Sequence, residues 1–84
     1  MLTQGNFKKP SAHDVYEHYK GKRYKILMLV WNSEADDLEQ WVVYQGLYND
    51  PKLGDNPIFA RSLNKFCETV LIDNQEQPRF KLIS

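Results

Sequence analysis

The sequence predicts a small, mostly β domain in which about five short strands form a barrel. Three observations support this fold class. Runs rich in β-branched and aromatic residues recur along the chain, turn-forming residues separate them, and one segment before the last hairpin suits a single helical turn. A closed barrel would also remove the exposed strand edges that such a short sheet presents.

The length of 84 residues leaves room for one domain. Residues 1–12 are polar, include Gly5 and Pro10, and show no periodicity, so we predict a flexible N-terminal arm followed by one domain over residues 13–84. The chain has a single cysteine but two Trp, four Phe and five Tyr residues. Because a large aromatic side chain buries about 150–250 Å², aromatic packing is expected to form the core.

The first half of the domain contains the two clearest strands. Residues 15–19 fit either a short strand or one helical turn after the Ser-x-x-Asp pattern at 11–14. The run 22–31 is apolar on both faces at its centre, so we expect a barrel, a loop or a partner chain to cover both sides. Residues 40–48 return as a hairpin around an acidic turn at 32–37. Alternation places Tyr24, Ile26, Met28 and Val30 on one face of the first strand, and Val42, Tyr44, Gly46 and Tyr48 on one face of the second.

The second half opens with the strongest loop signal in the chain. Residues 49–57 are rich in Asn, Asp, Pro and Gly, and the segment is longer than the usual median of about 4–6 residues. The remaining predicted elements are a short strand at 58–60, a helical turn from Ser62 to Phe66, a strand at 68–72, a turn at 73–78 and a final strand at 79–83. Ser62 is the expected cap of the helical turn.

Charge and hydropathy limit the partners and the compartment. Lys plus Arg and Asp plus Glu each total 11, so the basic excess that drives most nucleic-acid binding is missing. The longest apolar run, Ile26 to Trp31, is far shorter than the roughly 20 residues that span a bilayer, so no membrane association is expected. With one cysteine and no signal-peptide pattern at the N-terminus, we predict a cytoplasmic protein.

Metal and catalytic sites are weakly supported. His13 and His18 are the only histidines, whereas catalytic zinc normally has three protein ligands and structural zinc four. Cys67 with His18 as its base would make an activated nucleophile. A lone cysteine among apolar neighbours is more often a small buried hydrophobe, and the adjacent Glu68 would raise its pKa. We therefore predict no metal, no cofactor and no enzymatic activity.

The candidate binding residues are mostly tyrosines. Tyr19, Tyr24, Tyr44 and Tyr48 can line an aromatic groove that docks a peptide, although two of them would be core residues if their faces point inward. Gln45 either contacts a ligand or, as we favour, lies on the core-facing side of its strand and forms structural hydrogen bonds across the barrel. Arg61 either clamps a carboxylate or phosphate, or pairs with Glu68 or Glu39 to hold the loop.

These features favour a non-enzymatic binding module that presents an aromatic face and the 49–57 loop to an unknown protein or peptide. The alternative is a nucleic-acid accessory domain that uses the basic stretch Lys20–Lys25 together with Tyr19 and Tyr24. A charged turn is usually only solvated, so the binding module is the preferred interpretation. A third alternative, an enzyme or a small-ligand protein, needs a concave pocket that a barrel of 84 residues has little volume to form. A homodimer that pairs the strand from Tyr24 to Trp31 across two chains could supply that pocket.

Several motifs in order resemble the domain-of-unknown-function family 1653. The first is Tyr16-Glu17-His18-Tyr19-Lys20-Gly21 followed by Tyr24, and the second is the strand Trp41-Val42-Val43-Tyr44-Gln45-Gly46-Leu47-Tyr48. Arg61, Leu63, Phe66 and Glu68, and then Pro78-Arg79-Phe80, complete the pattern, which covers about residues 15–83. The resemblance implies a small bacterial barrel of the SH3-like type and implies no activity.

Two departures from the family pattern stand out. The family usually has an aromatic-x-Arg-Pro sequence where this chain has Phe59-Ala60-Arg61-Ser62. The preceding loop is also longer, with extra residues around Pro51 to Asn56. If the loop forms part of a binding site, the partner of this member is expected to differ from that of its relatives.

Overall fold

The computed structural model describes residues 9–34 and 38–84, and these residues confirm the mostly β class. Nine strands and one helix are present in them: β1 Val15–His18, β2 Arg23–Trp31, β3 Gln40–Gly46, β4 Asn49–Asp50, β5 Gly54–Asp55, β6 Ile58–Ser62, α1 Leu63–Phe66, β7 Thr69–Ile72, β8 Gln75–Pro78 and β9 Phe80–Leu82. Most of the predicted arm (residues 1–8) and part of the acidic turn (35–37) lie outside the described residues. Pro10, within the predicted arm, is buried.

Five strands form one antiparallel sheet in the order β6-β3-β2-β1-β9, while β4-β5 and β7-β8 form two small ladders. The sheet is strongly rolled. Its edge strands lie four strand spacings apart, which is about 19 Å in a flat sheet, yet Cζ of Arg61 on β6 is 5.8 Å from the ring centroid of Phe80 on β9. No ladder joins β6 to β9 in the described residues, so a closed SH3-like barrel stays a prediction.

A β-bulge in β2 divides the predicted inner face of that strand. Ile26 pairs with Tyr44 on β3, but the next pair is Met28 with Val43, which leaves Leu27 as an extra residue. Ile26 is therefore fully buried, whereas Met28 turns outward and is 52% exposed. The expectation of one continuous face is wrong, because a single extra residue reverses the alternation.

The inner face of β3 carries Val42, Tyr44 and Gly46, all of which are buried. The core consists of Tyr16, Ile26, Val42, Tyr44, Phe66 and Phe80. Its aromatic members pack closely: Phe66 and Phe80 stack with ring centroids 4.2 Å apart, and Tyr16 meets the edge of Phe66 at 5.3 Å. Aromatic packing thus fills the rolled sheet, as the composition predicts.

The predicted helical turn is present and is capped as expected. Ser62 is the N-cap of α1, and its Oγ accepts a hydrogen bond from the backbone N–H of Lys65 at 3.2 Å. Phe66 on the last position of the helix is 2% exposed and carries the helix onto the core. Serine in place of the family's usual proline therefore has a structural role at this position.

The last hairpin differs from the prediction. Asp73 and Asn74 both have positive φ, and Ile72 pairs with Gln75 across them, so the turn has two residues instead of six. The segment β8 that follows is entirely exposed and polar, which is why its sequence resembles a loop. Strand β9 then pairs with β1 and not with β7.

The N-terminal turn explains why residues 15–18 form a strand and not a helix. The backbone N–H of Ser11 donates to Asp14 Oδ2 at 2.9 Å, as in a capping box. His13, however, has a φ of 76°, which directs the chain out of a helical path. β1 then inserts between β2 and β9.

Strand β2 is hydrogen-bonded on both edges, to β1 and to β3. The dimer suggested by its sequence could therefore form only through its outer face, unless a neighbouring strand were displaced. That face is only partly covered, since Met28 and the paired Val43 of β3 both point outward. Within the described part of the chain the single helix has four residues, too few to cross a membrane.

Candidate functional site

A cavity of about 240 Å³ opens at the end of the rolled sheet. Strand β6 contributes two of its lining side chains, and each of the others comes from a different strand or connecting turn. The lining residues are His18, Tyr24, Tyr44, Tyr48, Asp50, Leu53, Phe59, Arg61 and Phe80. We call this site the tyrosine–arginine cavity. It combines five tyrosine and phenylalanine rings with one imidazole, one carboxylate and one guanidinium group, and the rolling of the sheet brings these together.

Arg61 is the only arginine or lysine in the lining. Its Nε donates a hydrogen bond to Tyr44 Oη at 3.2 Å, and its guanidinium carbon lies 5.8 Å from the ring centroid of Phe80. These contacts fix the plane of the guanidinium group. Among the described residues Arg61 forms no ion pair and no second side-chain hydrogen bond, so within this part of the chain its two terminal nitrogens have no partner.

The expected pairing of Arg61 with Glu68 is not made. Glu68 accepts instead from Arg79, with Nη2 of Arg79 3.2 Å from Oε1, and lies 3.8 Å from Lys65 Nζ. Arg79, and not Arg61, therefore forms the ion pair with Glu68. Because β9 follows the β7-β8 hairpin directly, it brings Arg79 next to the start of β7, a proximity that the sequence did not predict.

Two tyrosine hydroxyls meet at one wall of the cavity. Tyr24 Oη and Tyr48 Oη are 3.1 Å apart and share a hydrogen bond. Burial, followed by this hydrogen bond, raises the pKa of Tyr24, while the nearby charge of Arg61 acts in the opposite direction. The Nζ of Lys22 lies 4.4 Å from the ring centroid of Tyr48 and adds positive charge beside this wall.

His18 lines the cavity, and its hydrogen bonding is that of a neutral imidazole ring. The backbone N–H of Lys20 donates to its Nδ1 at 3.1 Å, so Nδ1 carries the lone pair and the hydrogen of the neutral ring is on Nε2. Burial lowers the pKa of His18, and the positive charges of Arg79, Arg61 and Lys20 lower it further. The ring also packs edge-on against Phe80, with centroids 5.0 Å apart.

The long loop contributes Asp50 and Leu53 to the cavity. Asp50 Oδ1 accepts the backbone N–H groups of Lys52 and Leu53 at 2.8 and 3.0 Å. These two hydrogen bonds are the main cause of the lowered pKa of Asp50. The loop is therefore an ordered turn that presents one carboxylate at the rim of the cavity.

Gln45 holds this loop against β3. Its side-chain Nε2 donates to the carbonyl of Asn56 at 3.1 Å, and the backbone N–H of Gly46 donates to the carbonyl of Pro57 at 2.7 Å. Gln45 pairs with Ile58 and points to the outer face of the sheet. Its placement on the core face was therefore wrong, because the buried face of β3 is the one that carries Val42 and Tyr44.

The structure brings together four of the six predicted binding residues: Tyr24, Tyr44, Tyr48 and Arg61. Gln45 lies outside the cavity and anchors the loop. Tyr19 is 41% exposed and lines a separate surface depression of about 300 Å³, which also borders on His18. Tyr44 is at once a core residue, 4% exposed, and a wall of the cavity.

Asp50 and Leu53 lie in the loop 49–57, which the sequence predicted as part of the binding surface without naming individual residues. Three members of the site were not predicted as binding residues: His18, Phe59 and Phe80. Phe59 is two residues before Arg61 on β6, and its alternation with Arg61 was a signal that places both on one face. Phe80 gave no comparable signal, because its position depends on β9 pairing with β1 across the sheet.

The alternative chemistry considered for Cys67 and the histidines finds little support. Burial raises the pKa of the Cys67 thiol to about 11, which opposes nucleophilic reactivity near neutral pH. Cys67 packs against the core and lines a different cavity from His18. Among residues 9–34 and 38–84, no three His, Cys, Asp or Glu side chains come together in a way that could hold a metal ion.

Comparison with known proteins places the chain in a family. The model of the family described as protein of unknown function (DUF1653) matches residues 14–82. A crystal structure of a DUF1653 protein from Bordetella bronchiseptica is 35% identical, with a TM-score of 0.73 over 98% of this chain and 94% of the other. No curated protein matches significantly. Since the family model covers most of the chain, including every strand and the cavity, the protein belongs to the DUF1653 family.

Proposed function

We propose that the protein is a non-enzymatic binding module that holds a peptide or protein segment in the tyrosine–arginine cavity. The observation that supports this function best is the arrangement of Arg61. Its guanidinium group is oriented by Tyr44 and Phe80 but is not neutralised by a carboxylate in the described residues. An oriented cation among aromatic rings offers both charge recognition and apolar contact area.

A binding role fits the dimensions and chemistry of the site. The volume of about 240 Å³ suits one or two side chains of a partner and is below the roughly 300–1,000 Å³ typical of pockets that enclose a drug-sized ligand. His18 Nδ1 is occupied by the Lys20 amide, and the Cys67 thiol has a raised pKa. Both features favour recognition over acid–base or nucleophilic chemistry. The cytoplasm is the compartment we expect for this interaction.

The test is selection from a random peptide library on the immobilised protein, compared with a Tyr48→Ala, Arg61→Ala double variant. We expect the wild type to enrich a defined sequence motif and the variant, once circular dichroism confirms its fold, to enrich none. An Arg23→Gln, Leu71→Ala variant is a matched control, because both positions are exposed and outside the cavity. Equal enrichment by all three proteins, or none by the wild type, would contradict the proposal.

The nucleic-acid alternative depends on the turn between β1 and β2. Lys20 and Lys22 are exposed there, and each lies over a tyrosine ring, at 5.8 Å from Tyr19 and 4.4 Å from Tyr48. Binding to mixed single-stranded oligonucleotides at 20 to 50 mM salt, lost in a Lys20→Gln, Lys22→Gln variant, would favour this alternative. Affinity should then fall steeply with salt, because each phosphate contact releases a counterion.

A further inference from the structure

We infer that the group recognised in the tyrosine–arginine cavity is a carboxylate, bound by the terminal nitrogens of Arg61. This inference rests on the proposed function, because it names the ligand chemistry of the same site. The carboxylate can be the C-terminus of a peptide, an acidic side chain within a peptide, or a free carboxylic acid. All three present the same planar pair of oxygens.

The geometry of Arg61 is suited to a planar anion. With Nε donating to Tyr44 Oη, the guanidinium group cannot rotate freely, and Nη1 and Nη2 are left to face a ligand. A carboxylate accepts two parallel hydrogen bonds from such a fork, whereas a lysine ammonium offers only a point charge. Tyr44 therefore acts as a positioning residue for Arg61.

Aromatic cavities often bind cations, but the positive charges around this cavity favour an anion. A quaternary or primary ammonium group would be attracted to the faces of Tyr24, Phe59 and Phe80. Here Arg61 already lies over the face of Phe80, and Lys22 lies over Tyr48. A second cation would meet both positive charges, whereas a carboxylate is attracted by both.

The remaining polar groups of the cavity are compatible with an anion. His18 presents Nε2 as a donor because its Nδ1 accepts from Lys20. The Tyr24–Tyr48 pair has one hydroxyl hydrogen that is not used between the two rings. Asp50 is the one opposing charge, and two backbone N–H groups of its own loop satisfy its Oδ1. It repels a carboxylate from the loop side and favours the end of the cavity that holds Arg61.

The test follows the Arg61 Nε–H signal by ¹H–¹⁵N nuclear magnetic resonance during titration with sodium acetate. Sodium chloride controls for ionic strength, and methylammonium chloride tests the cation of similar size. We expect a saturable shift with acetate and none with the other two salts. Equal responses to acetate and chloride, or a saturable response to methylammonium alone, would overturn the inference.

Three variants assign the effect to the cavity, with acetate binding followed through the backbone amides of Tyr24, Tyr44 and Tyr48. Arg61→Gln should abolish the shifts, and Arg61→Lys should weaken binding about ten-fold, because the planar fork is lost while the charge is kept. Arg23→Gln removes one positive charge outside the cavity and should leave binding unchanged. Equal loss in Arg61→Gln and Arg23→Gln would show that acetate responds only to net charge and would contradict the inference.

Matched peptides distinguish the sources of the carboxylate. A tripeptide with a free C-terminus, its C-terminal amide, and an amide with an internal glutamate are compared in the same titration. Binding by the first alone identifies a C-terminus, and binding by the third identifies an acidic side chain. Acetate binding without any peptide binding would support a free carboxylic acid and count against the proposed function. Selected peptides that bind equally to wild type and Arg61→Gln would leave the binding module in place and refute the carboxylate.

Discussion

At the scale of a single residue, Tyr24 contributes both to the stability of the fold and to the proposed binding site. Its ring is partly buried and meets Tyr44, Phe59 and Phe80 edge-on at 5.3 to 6.0 Å. Its hydroxyl is bonded to Tyr48. Because burial and this hydrogen bond favour the neutral phenol, the pKa of Tyr24 is raised in the folded protein.

This raised pKa predicts a loss of stability at alkaline pH. Tyrosine in the unfolded chain ionises near pH 10, while Tyr24 in the folded protein still holds its proton. The stabilising contribution is therefore complete below pH 10 and declines as the pH rises toward the folded pKa. Urea unfolding at pH 8 and pH 11 measures the decline.

The variant Tyr24→Phe, which lacks the ionisable hydroxyl, serves as the comparison for this prediction. The variant should show a smaller decline between pH 8 and pH 11, although not a flat curve, because Tyr16 and Cys67 also have raised pKa values. Between pH 7 and pH 8 the two proteins should differ by a constant amount. Declines of equal size in both proteins up to pH 11 would contradict the assignment to Tyr24.

Cys67 gives a second prediction at the residue scale. Burial raises the pKa of its thiol from 9.0 to about 11, so the thiolate fraction at pH 8 is about a hundred-fold lower than in an exposed cysteine. Alkylation by iodoacetamide, followed by mass spectrometry, should therefore be markedly slower in the native protein than in urea. Comparable rates in the two conditions would show that Cys67 is an accessible, reactive thiol.

At the scale of the element, strand β3 connects the core to the cavity through alternate residues. Tyr44 faces both, and Gly46 allows the ring of Tyr48 to approach the backbone. A Cβ at position 46 would lie 2.6 Å from Cε1 of Tyr48. The glycine is therefore required by a close approach of a side chain that belongs to the proposed site.

Gly46→Ala should consequently impair binding more than folding. The added methyl group displaces the Tyr48 ring and breaks its hydrogen bond with Tyr24. We expect acetate affinity to fall several-fold while the unfolding free energy falls by about 1–2 kcal/mol, since the contacting atoms belong to a partly exposed side chain that can shift. Acetate titration and urea unfolding measure the two effects. Unchanged affinity in the folded variant would show that Tyr48 does not contribute.

Some of the elements can be predicted from local sequence patterns alone. The Ser62 cap, the return strand and the loop at 49–57 follow from short-range rules, because the determining atoms are close in sequence. The bulge at Leu27 and the two-residue turn at 73–74 do not follow from such short-range rules. Nothing in the alternation of β2 signals an extra residue, and the polar composition of β8 conceals a strand.

The whole molecule is held together by one aromatic cluster inside a rolled sheet. Phe66 from α1, Phe80 from β9 and Tyr16 from β1 meet there, although they are far apart in the chain. A domain of 84 residues has little apolar surface to bury, so a few such rings carry much of its stability.

Phe66→Ala should therefore destabilise the whole domain. Phe66 is 2% exposed and packs on Phe80, Tyr16 and Tyr44, so its truncation should lower the unfolding free energy by about 3–5 kcal/mol. Leu71→Ala is the matched control: Leu71 is 76% exposed and should change stability by less than about 0.5 kcal/mol. Similar losses in the two variants on urea unfolding would contradict this description of the core.

By itself, the sequence determined the mostly β class, the helical turn, the aromatic composition of the core and four of the cavity residues, because periodicity and capping act over short distances. The resemblance of its motifs to family 1653 likewise needed no coordinates. Only the tertiary structure decided which faces are buried, that Arg79 and not Arg61 pairs with Glu68, and that Phe80 and His18 join the cavity. The cavity depends on the rolling of the sheet and on the pairing of β1 with β9, which joins residues more than 60 positions apart. The ion pair of Arg79 with Glu68 depends on the β7-β8 hairpin, which returns the chain to the start of β7. Neither leaves a periodic pattern in the sequence.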